Sequence, residues 1–460
     1  MSYTKKLAKY SVDLKYEDLP KEVVHQAKRL TMHTLGVSLA GSSTPQGKRA
    51  IALAKEMGGQ KKESTLLGDG EKVGCVQAGL ANGTISDVLD WEDCSWTGHP
   101  SSGAIPGALA VGEKLKSSGK DFITSVVASY ELYERIAMAV QPGPDFGWMS
   151  KGWGLTSWVI YSSAVAAAKL FRLDEKQMEN LIGIAGAMTP TINVNVHLSR
   201  TDFYHYQWGV ACFNGITAAM VAQSGISPLP DYLDGDTGYW VTMTDKCKWD
   251  WLDKGLGKQF LILETYFKHW PTNMWINQPL DCMDAIIRKH QLKPQDVEKI
   301  IVTPNVENRM AIKPEGYKSI VDAEFSIPYC LAAIMHDPEP GPNWYTEEKR
   351  NDPKIIDLSK KVSFQGPLVK LQEAFEMFRE GTYPEMSVEV FTKGGKSYKE
   401  TNKLPKGHPR NMMTDQEFQD RFRRQASFAL KPATIEKAID RIMNLDGVED
   451  VSEIGNLMHD

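Results

Sequence analysis

Residues Ala81–Gly112 read ANGTISDVLDWEDCSWTGHPSSGAIPGALAVG. Four acids, Asp87, Asp90, Glu92 and Asp93, crowd into one short run. His99-Pro100-Ser101 then breaks the chain, and a Gly/Ala-rich apolar segment follows. Ionised carboxyls are costly to bury, whereas Gly/Ala-rich helices pack closely in cores. Acids and an imidazole set directly beside such a helix point to the wall of a functional pocket.

Outward from this stretch the texture is helical. Leu19-Pro20 followed by KEVVHQAKRLTMHTLGVSLAG predicts a helix with Pro near its start and Gly past its end. Its apolar residues Val23, Val24, Ala27, Leu30 and Leu35 fall near helical spacing. Asp121–Ala139, Thr156–Phe171, Met178–Met188 and Gly209–Gln223 read as further helices. The last three are rich in Ala, Gly and Ser, which permits close helix–helix approach. Past about residue 295 the pattern mixes: Glu298–Thr303 and Lys361–Phe364 are β-like, and Asp322–Met335 reads as one helix. Ser387–Thr401 forms two β-rich arms around Gly394-Gly395, a hairpin signal. From Asp415 onward the texture is helical again, with Thr434–Met443 apolar at helical spacing.

A chain of 460 residues is too long for one simple core, so two domains are expected. Hydrophobic content of 42% and charged content of 24% are ordinary for a globular protein. A net charge of −5 gives no electrostatic footprint for nucleic acid or an anionic membrane. The uncharged run Gly152–Ala168 carries Thr156, Ser157, Ser162 and Ser163, which fits a buried helix and not a membrane span. Cys75, Cys94, Cys212, Cys247, Cys282 and Cys330 form no CxxC pair, no zinc-ligand spacing and no iron–sulfur cluster pattern. Such scattered cysteines suit a reducing compartment. The N-terminal residues contain no apolar signal region, and a cytoplasmic location is expected. GxGxxG after a strand, a P-loop and a GxSxG elbow are all missing, and the acid spacing matches no oxygen-ligand cage. Neither a metal nor an organic cofactor is therefore expected; the remaining chemistry is acid–base.

Asn82–Asp93, NGTISDVLDWED, followed by His99-Pro100-Ser101 and a small-residue helix, resembles the signature of the MmgE/PrpD family. The resemblance runs through LPKEVVHQAKRLTMHTLGVSLAG, SSAVAAAKLFRLDEKQMENLIGIAGA, FKHWPTNMWINQPLDCMDA, AEFSIPYCLAAIM and ATIEKAIDRIMNLDGVEDV. That family includes 2-methylcitrate dehydratases, cis-aconitate decarboxylases and iminodisuccinate epimerases. The resemblance implies a mainly α fold with an α+β second domain. Both chain ends, residues 1–268 and 405–460, would build a large all-helical domain. Residues 269–404 would form a smaller inserted α/β lid domain, with the active site between the two. It also implies cofactor-free chemistry and a homodimer.

The resemblance further assigns candidate residues. Asp90 and His99 occupy the acid and imidazole positions of the signature. An imidazole can transfer protons near neutral pH, and a nearby carboxylate can fix its tautomer. Without the flanking signature, Asp90 as a helix cap and His99 as a structural imidazole would be the plainer reading. Cys94 stands where relatives often carry Thr, a weaker hydrogen-bond donor in place of a good one. Lys268, in Lys268-His269-Trp270-Pro271, matches a Lys-x-aromatic-Pro run. Its ammonium can hold a carboxylate or stabilise charge developing beside one. Tyr329, in FSIPYC, matches a pocket tyrosine.

Two positions depart from the family pattern. A His-Pro expected near Gly154 is missing, with Lys151 as a neighbouring cation. A Lys and a His expected before Gly215 are replaced by Tyr204 and Gln207. Arg200 is then the nearest replacement cation, and His197 and His205 are replacements for proton transfer. Fewer cations imply a substrate with fewer or differently placed carboxylates, carrying an aromatic or amide-like portion. Trp91, Trp96, Trp153, Trp158, Trp208, Trp270 and Trp275 agree with a more apolar pocket. The expected function is a cofactor-independent lyase, a dehydratase or decarboxylase, acting on a small carboxylic acid. An epimerase of a dicarboxylic or amino acid and a catalytically silent binding homologue are the alternatives.

Overall fold

The computed structural model describes residues 2–95, 98–140, 153, 157–189, 201–228, 232–307 and 309–460. Seven helices of the N-terminal half frame the site: α1 (Lys21–Ser42), α2 (Cys75–Ile85), α3 (Ser101–Leu115), α4 (Gly119–Val140), α5 (Ile160–Leu170), α6 (Glu175–Ala187) and α7 (Phe203–Gln223). Pro20 caps α1, where its missing N–H costs nothing. Gly41, expected past the end of this helix, lies inside it. A Cβ there would stand 2.1 Å from the Ile85 carbonyl oxygen, so glycine is what lets α1 meet the end of α2. The predicted Gly209–Gln223 helix starts earlier, at Phe203, and thereby carries Tyr204, His205 and Trp208.

The second half begins with α8 (Asn277–His290) and a four-stranded sheet built from β3 (Val297–Thr303), β4 (Val362–Phe364), β5 (Met386–Thr392) and β6 (Ser397–Asn402). Two short strands earlier in the chain, β1 (Asp93–Cys94) and β2 (Tyr266–Phe267), form a separate ribbon. The sheet order is β6-β5-β3-β4, with β3 antiparallel to β5 and parallel to β4. The helix expected over Asp322–Met335 is two helices, α9 (Ile320–Glu324) and α10 (Ile327–His336). Ser326 divides them: its hydroxyl accepts the Tyr329 N–H and caps α10, and Pro328 sits in the first turn. The chain ends with α11 (Asp415–Ala426) and α12 (Pro432–Met443).

Two cores result. One joins Leu30 and Leu35 of α1, Ile105 of α3, Val126 of α4 and Ile160 of α5 with Phe418, Phe422 and Ile435 near the C-terminus. The other joins Leu280, Met283 and Ile286 of α8, Ile300 and Val302 of β3, Val388 and Val390 of β5, and Leu331 and Ile334 of α10. The protein is thus mainly α, with a helical domain made from both chain ends and a smaller inserted α+β domain. Val88, Leu89, Trp91 and Cys94 belong to the second core, although their chain neighbours build the first. The acid-rich stretch therefore threads from one domain into the other. Among the described residues no helix is long and apolar enough to cross a membrane, and all six cysteines are free thiols.

Candidate active site

The end of α2 sets the first acids. The chain turns through Asp87 N–H to Thr84 O (3.1 Å) and Asp90 N–H to Asp87 O (2.7 Å). Asp90 has φ of 47°, a left-handed conformation that is uncommon for a residue with a Cβ. The β1–β2 ribbon then pairs Asp93 with Phe267 and Cys94 with Tyr266. Continuing that antiparallel register sets Lys268 opposite Glu92, and the Lys268 N–H reaches the Glu92 carbonyl at 3.3 Å. From there the Lys268 ammonium extends to both Asp90 Oδ1 and Glu92 Oε1. A turn closed by Ser95 N–H to Gly98 O (2.9 Å) brings His99 back over the acids. Gly98, at φ 137°, supplies the backbone freedom for that turn.

His99 is the hub. Its Nδ1 lies 2.8 Å from Asp87 Oδ2 and 2.7 Å from Glu92 Oε1. Its ring stacks on Trp208 of α7, with centroids 4.6 Å apart and planes 5° from parallel. The other Asp87 oxygen, Oδ1, holds His205 Nδ1 at 2.9 Å, and His205 Nε2 lies 3.0 Å from Glu324 Oε1 of α9. Asp87, Asp90, Glu92, Lys268, His205 and Glu324 are fully buried, and His99 is 5% exposed. Asp93 does different work: it accepts the Ser101 N–H at the start of α3 (3.2 Å) and the Tyr130 hydroxyl (2.5 Å).

Four carboxyls thus face three basic groups in a space closed to water, and ionising all of them would leave excess negative charge buried. The cluster responds by holding protons. Burial and the neighbouring Asp87 push Glu92 up to about 7, against the pull of Lys268 and His99. Burial drives Asp90 upward too, but Lys268, His99 and His205 outweigh it and bring it down to about 2. Burial and Lys268 both oppose a charged His99, yet Glu92 and Asp87 prevail and raise it to about 10. Burial opposes the charge on Lys268, while Asp90 and Glu92 hold it above the ordinary lysine range. At neutral pH the site therefore contains a protonated imidazole, an ammonium and a carboxyl poised near 7.

The structure brings Asp90, His99, Lys268 and His205 together. Tyr204 lies at the fringe, edge-on to His205 (5.1 Å) and to Phe325 (5.5 Å). Cys94 is buried beside the cluster with its thiol 3.3 Å from Met274 Sδ, and burial pushes that thiol well above its usual range. Tyr329 is not brought to the acids. Its hydroxyl donates to the Trp344 carbonyl and its ring lies against Tyr317 and Tyr345, so it packs the core of the smaller domain. The Ser326 cap fixes the face of α10 that Tyr329 occupies. Lys151, Arg200 and His197, with the missing family His near Gly154, lie outside the described residues.

Glu324 and Arg309 escaped the reading of the sequence, and Asp87 was read only as one acid of the pocket wall. Asp87 was visible in the acid run but carried no spacing to the distant His205. Glu324 had no local signal at all. Arg309, a buried cation of the smaller domain, donates to Asn273 Oδ1 at 2.7 Å and lies over the Phe325 ring. Asn273 in turn donates its N–H to the Glu324 carbonyl (3.2 Å). A cleft of about 430 Å³ at the domain junction is lined by Gln46, Arg49 and Asp202 from one side and Lys318, Ile320 and Arg350 from the other. Asp202 and Ile320 stand roughly one helical turn along the chain from His205 and Glu324, but none of the cluster side chains lines this cleft.

The MmgE/PrpD N-terminal domain model matches residues 5–252, and the MmgE/PrpD C-terminal domain model matches residues 270–445. The chain belongs to the MmgE/PrpD family. It is 26% identical to the cis-aconitate decarboxylase of Homo sapiens, over 99% of this chain and 94% of that protein. The Mus musculus cis-aconitate decarboxylase is 24% identical over 99% and 93%. That of Aspergillus terreus (strain NIH 2624 / FGSC A1156) is 21% identical over 99% and 96%.

Asp87, Glu92 and His99 offer ligand atoms within 4.8 Å of one another, the described residues best placed to share a cation. In this MmgE/PrpD chain the neighbouring positive charge is already supplied by Lys268 against Glu92 and by His205 against Asp87. The donor set reads as a proton-handling cluster with built-in counter-charge.

Proposed function

We propose that this protein is a cofactor-independent lyase that acts on a small carboxylic acid, with decarboxylation as its leading reaction. The observation that carries the reading is His99: both carboxylates at Nδ1 hold it charged, which leaves Nε2 to deliver a proton. Lys268 has three N–H donors and spends two on Asp90 and Glu92. The third can bind a substrate carboxylate and stabilise the enolate-like intermediate. As the C–C bond to the departing carboxylate breaks, its electron pair stays on the carbon skeleton and carbon dioxide leaves. His99 then protonates that carbon. For dehydration, Glu92 takes the proton next to the carboxylate, since a carboxyl poised near 7 exchanges protons efficiently at neutral pH, and His99 protonates the hydroxyl, whose C–O bond breaks as it leaves as water. The full-length similarity to cis-aconitate decarboxylases supports the lyase class.

A second reading, epimerisation, is favoured by one specific feature: His99 and His205 lie on the two oxygens of a single carboxylate, Asp87. Two proton carriers so placed could serve opposite faces of one carbon. Incubation in heavy water with hydroxy, unsaturated and amino polycarboxylates, read by NMR, separates the cases. A deuterated product with release of carbon dioxide or water supports the lyase. Deuterium wash-in with inversion and no net product supports the epimerase. Binding with neither exchange nor turnover across the panel overturns both and leaves a silent binding homologue.

A further inference from the structure

Glu324 is a fully buried carboxyl of the inserted domain. It ends the short helix α9, and among the described residues neither of its oxygens has a hydrogen-bond partner. A buried carboxyl without hydrogen bonds is costly, and such groups concentrate where chemistry needs them. Its backbone is held firmly, since its carbonyl accepts the Asn273 N–H at 3.2 Å. Among the described residues its close ionic contact is His205 Nε2 at 3.0 Å, an ion pair.

His205 consequently has a carboxyl at each ring nitrogen: Asp87 at Nδ1 and Glu324 at Nε2. Asp87 belongs to the helical domain and Glu324 to the inserted one. The contacts continue from Asp87 Oδ2 to His99 Nδ1 at 2.8 Å, all within the buried interior. An imidazole flanked this way satisfies both neighbours only when both nitrogens carry protons.

We propose that Glu324 is a positioning residue of this site, which locks His205 as a doubly protonated imidazolium and completes a Glu324–His205–Asp87–His99 chain across the domain junction. The proposal rests on reading the cluster as a proton-transfer site. His205 then replaces, from the neighbouring position on α7, the cation that the chain lacks at Tyr204. The anchored charge on His205 orients Asp87, and Asp87 in turn orients His99. The groups facing Glu324 are His205 and Tyr204 from α7, Asp87 and Asp90 from the acid stretch, and Cys330 and Tyr345 from its own domain. Burial raises Glu324, and the His205 charge pulls it back down. Burial opposes the charge on His205, and Glu324 and Asp87 together lift it well above the ordinary range.

The test needs no substrate. The full chain is labelled with ¹⁵N-histidine, and His205 is assigned by comparison with His205→Gln. The expected result is an imidazolium, both nitrogens protonated, at pH 7. Glu324→Gln should lower its proton affinity by about tenfold or more, a shift of about one pH unit. Glu324→Asp, which keeps the charge, should restore part of the shift and guards against misfolding of the first variant. A neutral single tautomer of His205 at pH 7, or an unchanged titration in folded Glu324→Gln, overturns the proposal. If the heavy-water panel shows no turnover while His205 behaves as expected, the lyase reading fails and the positioning role stands.

Discussion

Replacing Lys268 with methionine removes the ammonium and keeps most of the side-chain volume. The ammonium contacts both Asp90 and Glu92, and all three side chains are fully buried. Breaking a buried ion pair by deleting one partner costs about 3–5 kcal/mol, because the remaining charge is stranded. Here two carboxyls lose a shared counter-ion, so the upper part of that range is expected at pH 7.5. The cost should shrink in acid. Without Lys268, which pulls Glu92 down, the folded-state pKa of Glu92 rises further above its unfolded value of 4.5, from about 7 upward. A raised carboxyl favours folding only below its unfolded pKa and loses that contribution as pH rises through the folded one. The gap between wild type and Lys268→Met should therefore widen from pH 5 to pH 7.5. Adding Glu92→Gln to Lys268→Met removes one stranded charge and should recover about 1–3 kcal/mol beyond additivity. Chemical denaturation of the four proteins at both pH values measures this. Strictly additive effects, or an equal loss at both pH values, would refute the charge accounting of the cluster.

Other expectations follow from the same geometry. His99→Gln should slow deuterium exchange or turnover by about 10²–10⁴ while the protein stays folded, as measured by the heavy-water assay and circular dichroism. Stability should fall between about pH 7 and pH 10. The stabilisation from His99 is complete below its unfolded pKa of 6.5 and is lost as pH rises through about 10. A melting temperature that stays flat from pH 7 to 10 contradicts this. Gly209→Ala should destabilise by about 1–3 kcal/mol, because its Cβ would stand 2.2 Å from the Leu80 carbonyl oxygen where α7 crosses α2. The same variant should weaken catalysis, since these helices carry His205 and lead into Asp87. Native Cys94 should resist alkylation, since it is buried and its thiol is held protonated.

The parts of the site that are close in sequence were readable and the parts joined by the fold were not. Asp90, Glu92 and His99 share one loop, so their spacing alone brings them near one another. Lys268 stood out through its aromatic and proline neighbours, and the β1–β2 ribbon is what sets it opposite Glu92. Asp87 and His205 are 118 positions apart, and their meeting depends on how α7 packs on α2. Periodicity reported that both helices bury a face without reporting which residues meet. Tyr329 shows the opposite error. A tyrosine in an apolar helix is equally legible as pocket or core, and only the packing around α10, where its hydroxyl meets the Trp344 carbonyl, tells the two apart. Glu324 reads locally as an ordinary helix acid. Its burial follows from Asn273 holding its backbone at the junction, a contact far along the chain.

These origins explain why the cluster sits where it does. Neither domain contains a balanced set of charges by itself: the helical domain supplies Asp87, Asp90, Glu92, His99 and His205, and the inserted domain supplies Glu324. Lys268 stands at the crossing between them, immediately after the strand that pairs with β1. Dismantling the junction would expose carboxyls to water, where Glu92 would release the proton that burial makes it keep. Packing the domains together and charging the proton donors are then one event, because the same burial that excludes water raises the acids and pairs the imidazoles. A separation of the domains would be accompanied by proton release near neutral pH, and the buried charges stay paired only while both halves are in place.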